Sequence, residues 1–217
     1  LKKINIDFND LPLWFRNQTK YFTLAQKKNF LISFKTEPNL HIVFKNHKLL
    51  LDFEEDLIRT SKVSGFLLSK KDINRIKSFV DGNWWVQDFS SFFPLHNLPI
   101  KDNNKNFLDA CAAPGGKSFQ LLSKQLRLTL NDKSSDRIDI MKSNLDRMNF
   151  NTQILNEDFL NFREDKKYDC IIIDAPCSSV GTIRKNPEIF FKKKMPDFKK
   201  LNKIQISMLK KASILLN

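Results

Sequence analysis

From Asn83 to Leu216, short apolar runs alternate with amphipathic stretches, and most of the apolar runs stop at or just before a carboxylate. Trp84-Trp85-Val86 ends in Gln87-Asp88, and Phe107 to Cys111 runs into a turn of small residues. Leu126, Leu128 and Leu130 alternate up to Asn131-Asp132, Thr152 to Leu155 ends near Glu157-Asp158, and Tyr168 to Ile173 stops at Asp174. Each run has the length and composition of a strand. Between them, Phe119, Leu121 and Leu122 mark one helix. Ile138, Met141, Leu145 and Met148 recur at spacings of three and four, which puts them on one face of a second. Asp197 to Leu216 reads as a last helix burying Phe198, Leu201, Ile204, Met208, Ala212 and Leu215. Strands alternating with helices predict an α/β domain with a parallel, doubly wound sheet. Right-handed crossovers then align Cys111 to Lys117, Asp132, Asp158 and Asp174 along the carboxyl edge, where such sheets bind ligands.

The first 80 or so residues are less patterned. Leu40 to Phe44 reads as a strand, and Phe53 to Lys62 as a short helix opened by Glu54, Glu55 and Asp56 and stopped at Gly65. A further strand over Phe66 to Leu68 completes a small α/β subdomain. The expected division is therefore residues 1–80 and residues 81–217. Trp14 and the many phenylalanines are expected in the core, because they do not alternate with basic residues as a base-stacking surface would. Leu1 is not a methionine and the chain stops on an apolar run, so both ends read as cut.

Composition narrows the class. Hydrophobic residues at 41% and charged residues at 28% predict a packed domain rather than a disordered one. No apolar run approaches the roughly 18 residues that span a bilayer and no signal-peptide pattern is present, so a cytoplasmic protein without a membrane partner is expected. Cys111, Cys170 and Cys177 form no CxxC pair and lie far from His41, His47 and His96, which indicates neither a disulfide framework nor a metal site. The net charge of +13 points either to a polyanion or to a genome bias toward Lys, Asn, Ile and Phe, and the distribution of charge helps to decide. Ten basic residues fall between Arg184 and Lys211 (Arg184, Lys185, Lys192, Lys193, Lys194, Lys199, Lys200, Lys203, Lys210 and Lys211), against Glu188 and Asp197. Lys199, Lys203 and Lys210 fit a solvated helix face, whereas Arg184 and Lys185 fall in a loop that a phosphate can reach.

Ala112-Ala113-Pro114-Gly115-Gly116-Lys117-Ser118 ends like a phosphate-binding loop, but the first glycine of that motif would fall on Cys111. The dinucleotide fingerprint is absent as well. A small-residue turn remains, one that lets a ligand approach backbone at a helix N-terminus. Asp132 lies 17 residues beyond Gly115, where α/β cofactor domains hold ribose hydroxyls, and Asp158 is placed to accept from an adenine amino group or to cap the next helix. A nucleoside cofactor without a pyrophosphate fits this set better than ATP or NAD. The second reactive stretch is Asp174-Ala175-Pro176-Cys177, a carboxylate and a thiol at a strand's end, where the thiol is either reactive or an inert small hydrophobe.

Taken together, CAAPGGKS at Cys111, DAPCSSVGTIRKNPEI at Asp174 and WWVQD at Trp84 resemble the RsmB/NOP-type RNA 5-methylcytidine methyltransferases. The likeness covers Trp84 to Leu216. LPLWF and Leu40 to Asn46 resemble, more loosely, the family's small RNA-recognition-like region. It implies a Rossmann-like S-adenosylmethionine-dependent methyltransferase sheet, C-terminally incomplete, behind a small α/β RNA-recognition-like subdomain. It also implies S-adenosylmethionine held by Cys111, Ala112, Ala113, Pro114, Gly115, Gly116 and Lys117, with Asp132, Asp158 and Asp174 as further contacts and Arg137 near the adenosine. The implied reaction is methyl transfer to carbon 5 of a cytidine in RNA, first of all small-subunit ribosomal RNA. Carbon 5 of cytosine is a poor nucleophile, so a cysteine adds at carbon 6, and the thiolate is the form that adds. Lys117 and Arg184 are candidates for activating a thiol, and Asp174 for bonding the ring edge. In the family the nucleophile belongs to a later Thr-Cys motif and the DAPC cysteine, here Cys177, assists product release. The chain contains no Thr-Cys pair. A non-catalytic S-adenosylmethionine- and RNA-binding module is the competing reading. Methylation of an exocyclic amine expects Asp/Asn-Pro-Pro-aromatic where Ala175, Pro176 and Cys177 stand, and a DNA cytosine enzyme expects Pro-Cys-Gln.

Overall fold

The structure, a computed structural model, describes residues 6–51, 53–69, 72–100, 104–163, 166–191 and 195–217. Two compact units emerge, one from the chain up to Pro38 together with Pro176–Ile204, the other from Asn39–Ala175 and Gln205–Asn217.

In the first unit, helix α1 (Leu13–Gln18) and helix α2 (Leu24–Lys35) are joined by a short turn. Thr23 opens α2 through a capping box, accepting from the Gln26 amide while the Gln26 side chain accepts from its own. These helices pack with the 3-10 segments Val180–Thr182 and Pro187–Phe191 around Phe8, Leu11, Phe15, Ile183, Ile189 and Phe190. The rings of Phe15 and Phe190 meet edge to face with centroids 4.9 Å apart. Much of the phenylalanine excess is thus core in this unit. Lys192, Lys193 and Lys194 lie outside the described residues.

The second unit carries both sheets. An antiparallel sheet has the order β2-β3-β1-β4, from β1 (His41–Phe44), β2 (Leu57–Ser61), β3 (Ser64–Leu67) and β4 (Trp84–Val86). Helix α3 (His47–Leu51) follows β1 and helix α4 (Lys77–Val80) precedes β4. The helix expected over Phe53 to Lys62 is a correction. Only Glu54–Asp56 turns, as a 3-10 segment, and Leu57–Ser61 is a strand paired with β3. The acids at 54–56 resemble a helix start, but pairing with β3 outweighs that local preference.

The remaining strands form a fully parallel sheet of order β7-β6-β5-β8. They are β5 (Asn106–Asp109), β6 (Arg127–Asn131), β7 (Gln153–Leu155) and β8 (Cys170–Ile172). Helix α5 (Phe89–His96) lies between β4 and β5, α6 (Gly116–Leu122) connects β5 to β6, α7 (Ser135–Arg147) connects β6 to β7, and α8 (Phe198–Leu215) follows β8 in sequence. Ile138, Met141, Leu145 and Met148 are all buried, as their spacing requires. In α8, Met208, Ala212 and Leu215 are buried, but Phe198 is 43% exposed, against expectation, because it sits in the first turn of the helix. The strand order changes direction between β5 and β8, so the loop leaving β5 opens at the topological switch point.

Candidate functional site

The β5 strand ends at Asp109, two residues earlier than expected, and the chain then turns through Cys111 to Gly115 into α6. Gly115 makes the turn possible. Its φ of +110° is open to glycine alone, and a Cβ there would meet the Phe119 ring at 2.2 Å. The Ala113-Pro114 peptide is cis. Asp109 is 1% exposed and accepts from the Ser118 hydroxyl at 2.7 Å and the Cys111 amide at 3.4 Å. Burial is the main force raising its pKa to about 6; the Ser118 and Cys111 hydrogen bonds pull the other way, Asp174 adds to the rise, and Lys117 opposes it. Burial also pushes the Cys111 thiol up to about 12, with Asp109, Asp132 and Asp174 adding to it, so Cys111 is a neutral thiol and no nucleophile.

At the end of β6 the buried Asp132 holds this turn in place. Its carboxylate accepts from the Ala113 amide at 3.1 Å and the Ser134 amide at 3.0 Å, and Arg137 stands 3.6 Å away. Arg137 also donates to the Ala113 carbonyl. Asn131 binds the neighbouring loops together, donating to the carbonyls of Ala110 and Glu157 and accepting from the Glu157 amide. After β8, the Asp174 carboxylate pairs with the Lys117 ammonium at 2.5 Å.

A cavity of about 420 Å³ opens over these groups, walled by Cys111–Pro114, Gly116, Lys117, Asp109 and Asp174. Its far wall was not legible in the sequence. Gln87, Phe79 and Arg147 form part of it. Arg147 stacks on Phe79 at 3.9 Å and donates to the Phe79 and Trp84 carbonyls. Gln87 accepts from the Trp85 indole at 3.0 Å and donates to Gln120 at 2.8 Å, an arrangement that fixes the end of β4 against α6. Of Gln87, Phe79 and Arg147, only Gln87 lies in a motif singled out in the sequence, WWVQD, and nothing local in that motif announces its place on the wall.

Among the expected residues, Cys111, Ala112, Ala113, Pro114, Gly116, Lys117 and Asp174 therefore meet at one cavity, with Arg137 also on its wall, and Gly115 shapes the turn. Asp132 lies behind that wall. Asp158 is exposed and caps the 3-10 segment Phe159–Asn161, accepting from the Leu160 amide at 3.0 Å. Cys177 belongs to the other unit, since the division falls between Ala175 and Pro176. It is exposed, with its sulfur 3.9 Å from the Ser179 hydroxyl. In the same unit Arg184 reaches the Thr36 carbonyl at 3.3 Å.

A parallel sheet with a cavity at its switch point is a Rossmann-like arrangement. Residues 97–217 match the family described as 16S rRNA methyltransferase RsmB/F, and the chain belongs to that family, whose named members are enzymes. Ribosomal RNA small subunit methyltransferase B of Shewanella oneidensis is 33% identical over 148 residues, which is 66% of this chain and 34% of the relative. A protein named as probable ribosomal RNA small subunit methyltransferase B in Bacillus subtilis is 31% identical over 174 residues, 76% of this chain and 36% of the relative. The chain thus spans about a third of the length of these curated relatives. NSun6 from Pyrococcus horikoshii, solved with SFG, shares the fold with a TM-score of 0.77 at 15% identity, over 95% of this chain and 80% of that one. No described helix is long and apolar enough to cross a membrane.

Proposed function

We propose that this chain acts in an S-adenosylmethionine-dependent methylation of carbon 5 of a cytidine in RNA, with small-subunit ribosomal RNA as the substrate. Residues 1–80 serve in this reading as the RNA-recognition-like part and residues 81–217 as the catalytic part, in a cytoplasmic protein. The observation that carries it is the cavity at Cys111–Lys117, whose small residues let a ligand approach backbone and whose carboxylates suit a cationic one. The bound cofactor would supply a methyl group on a sulfonium. Asp109 and Asp174 would face its positive charges, and the turn at Gly115 would keep the wall thin.

Asp132 is proposed to hold the ribose hydroxyls once Arg137 turns aside, and Asp158 to lie at the adenine end. Asp132→Ala is expected to weaken S-adenosylmethionine binding at least tenfold by calorimetry, since a charged acceptor is worth about 1.5–3 kcal/mol. Asp132→Asn, which keeps the side chain's size, should lose part of that affinity while preserving the fold. Unchanged affinity in both variants would sink the cofactor assignment.

Asp174 is assigned to the edge of the target base and Cys177 to product release, with the attacking thiolate supplied by a Thr-Cys motif. In a protein that carries such a motif, Cys177→Ala is expected to leave a covalent RNA adduct visible on a denaturing gel. Disappearance of the adduct would instead make Cys177 the nucleophile.

A further inference from the structure

The antiparallel sheet reaches the cavity over Cys111–Lys117 through one buried histidine. His41, in β1, is 1% exposed, and its ring packs against Phe66, Phe89 and Phe92 at centroid distances of 4.9, 5.4 and 5.4 Å. We infer that His41 is a positioning residue for the ligand site, acting through Gln87 to set the wall on which the turn into α6 rests. The inference rests on the proposed function in naming S-adenosylmethionine as the ligand that this wall serves.

The partners of the ring fix the direction of each hydrogen bond. The Gln87 carbonyl lies 2.8 Å from Nδ1, and a carbonyl only accepts, so Nδ1 carries the proton. In the neutral ring Nε2 then accepts from the Thr60 hydroxyl at 2.9 Å. With its proton committed, Thr60 accepts from Ser64 at 2.7 Å, Ser64 from Ser61 at 2.8 Å, and Ser61 from the Val63 amide at 3.1 Å. The β2–β3 hairpin thus locks the ring. The backbone adds a second tie, the Gln87 amide donating to the His41 carbonyl at 3.2 Å. Beyond Gln87 the order is fixed as well. The Trp85 indole can only donate, so its bond at 3.0 Å makes the Gln87 side-chain oxygen the acceptor and leaves the amide nitrogen for Gln120. Gln120 in turn donates to the Phe92 carbonyl at 3.1 Å. The Gln87 side chain held in this way lines the cavity and lies against Gly116, where an added Cβ would meet its Cγ at 3.5 Å. His41 itself is not on the cavity wall. A buried polar chain satisfied at each link keeps one arrangement, and the loss of a donor at one link is felt along it.

Two amide substitutions separate the two nitrogens of the ring. His41→Asn places its amide nitrogen where Nδ1 stands and keeps the bond to Gln87, whereas His41→Gln reaches towards Thr60 and leaves the Gln87 carbonyl without its donor. Each gives up one bond, so both should melt below the unaltered chain by similar amounts. S-adenosylmethionine affinity by calorimetry is expected to fall about five- to tenfold in His41→Gln, the size of one buried hydrogen bond, and to recover most of the way in His41→Asn. The Trp85 indole N–H resonance reports where Gln87 lies, and it should move in His41→Gln and hold in His41→Asn. The Trp84 indole, bonded to Ser78 at 2.9 Å, is the internal control. In the unaltered chain, added S-adenosylmethionine should shift the His41 Nδ1–H resonance, because coupling between two sites is reciprocal, and this measurement needs no variant to fold. Unchanged affinity in His41→Gln, an equal loss in both variants, or an Nδ1–H resonance unmoved at saturating ligand overturns the inference. A chain that binds no S-adenosylmethionine strikes the proposed function instead, and an unmoved Trp85 resonance in His41→Gln would then overturn the inference separately.

Discussion

Gly82→Ala is expected to destabilise the protein by about 3 kcal/mol or more. Gly82 turns the chain between α4 and β4 at φ +71°, where a side chain already costs about 1 kcal/mol. The larger effect is steric. A Cβ there would lie 2.0 Å from the Arg147 carbonyl oxygen and 2.7 Å from the Met148 Cα, and backbone cannot swing aside as a flexible side chain can. Either β4 or the end of α7 must shift. Arg147 and Asn144 would move with it, and both wall the cavity over Cys111–Lys117. The melting temperature should therefore fall by roughly 6–12 °C for a chain of this size, with weakened cofactor binding at temperatures where the variant is still folded. Gly181→Ala is the control. Nothing lies within 4 Å of its would-be Cβ, so its stability should stay within about 0.5 kcal/mol of the parent. A Gly82→Ala protein that melts with its parent would remove the close approach of turn and helix from the account.

That approach also shows where reading the sequence stops. The parallel sheet was legible because its signals are local: Leu128 and Leu130 alternate with polar neighbours, Ile138 to Met148 keep a helical spacing, and Asp132 and Asp174 close their strands. The turn at Gly115 was legible too, as small residues between a strand and a helix. The second wall of the cavity was not. Phe79 and Arg147 are 68 residues apart and meet only when α7 packs beside the antiparallel sheet, a contact that no periodicity announces. Leu57–Ser61 was misread for the opposite reason, since three acids imitate a helix start while the pairing that decides the matter comes from β3. For Asp158 the sequence allowed a ligand contact or a cap, and the cap is the bond it makes here.

Between pH 4 and 8 Asp109 carries the largest expected dependence on pH, and its sign follows from burial. The carboxyl has a pKa of about 6 in the folded protein against about 3.9 when unfolded, so folding takes up a proton between those values. Its contribution to stability is therefore greatest below pH 4 and is lost as the pH rises through 6, amounting to a penalty of about 3 kcal/mol at neutral pH. The Ser118 hydroxyl and the Cys111 amide still donate to the ionised form, Lys117 offsets part of the cost, and Asp174 adds to it. Asp109→Asn keeps the shape and an acceptor for Ser118 while removing the charge. It should match the parent to within about 0.5 kcal/mol near pH 4 and exceed it by about 2–3 kcal/mol at pH 7.5, measured by urea denaturation at both values. The same substitution should weaken S-adenosylmethionine binding, because a buried carboxylate is worth most to a cationic ligand that it faces without intervening water. In the unaltered chain that affinity should rise with pH up to about 6 and level off above it, as binding a cation favours the ionised form. A group that destabilises the empty fold and strengthens the occupied one would account for a buried carboxylate at the base of this cavity. An Asp109→Asn protein as pH-dependent as its parent between pH 4 and 7 would place the titration elsewhere.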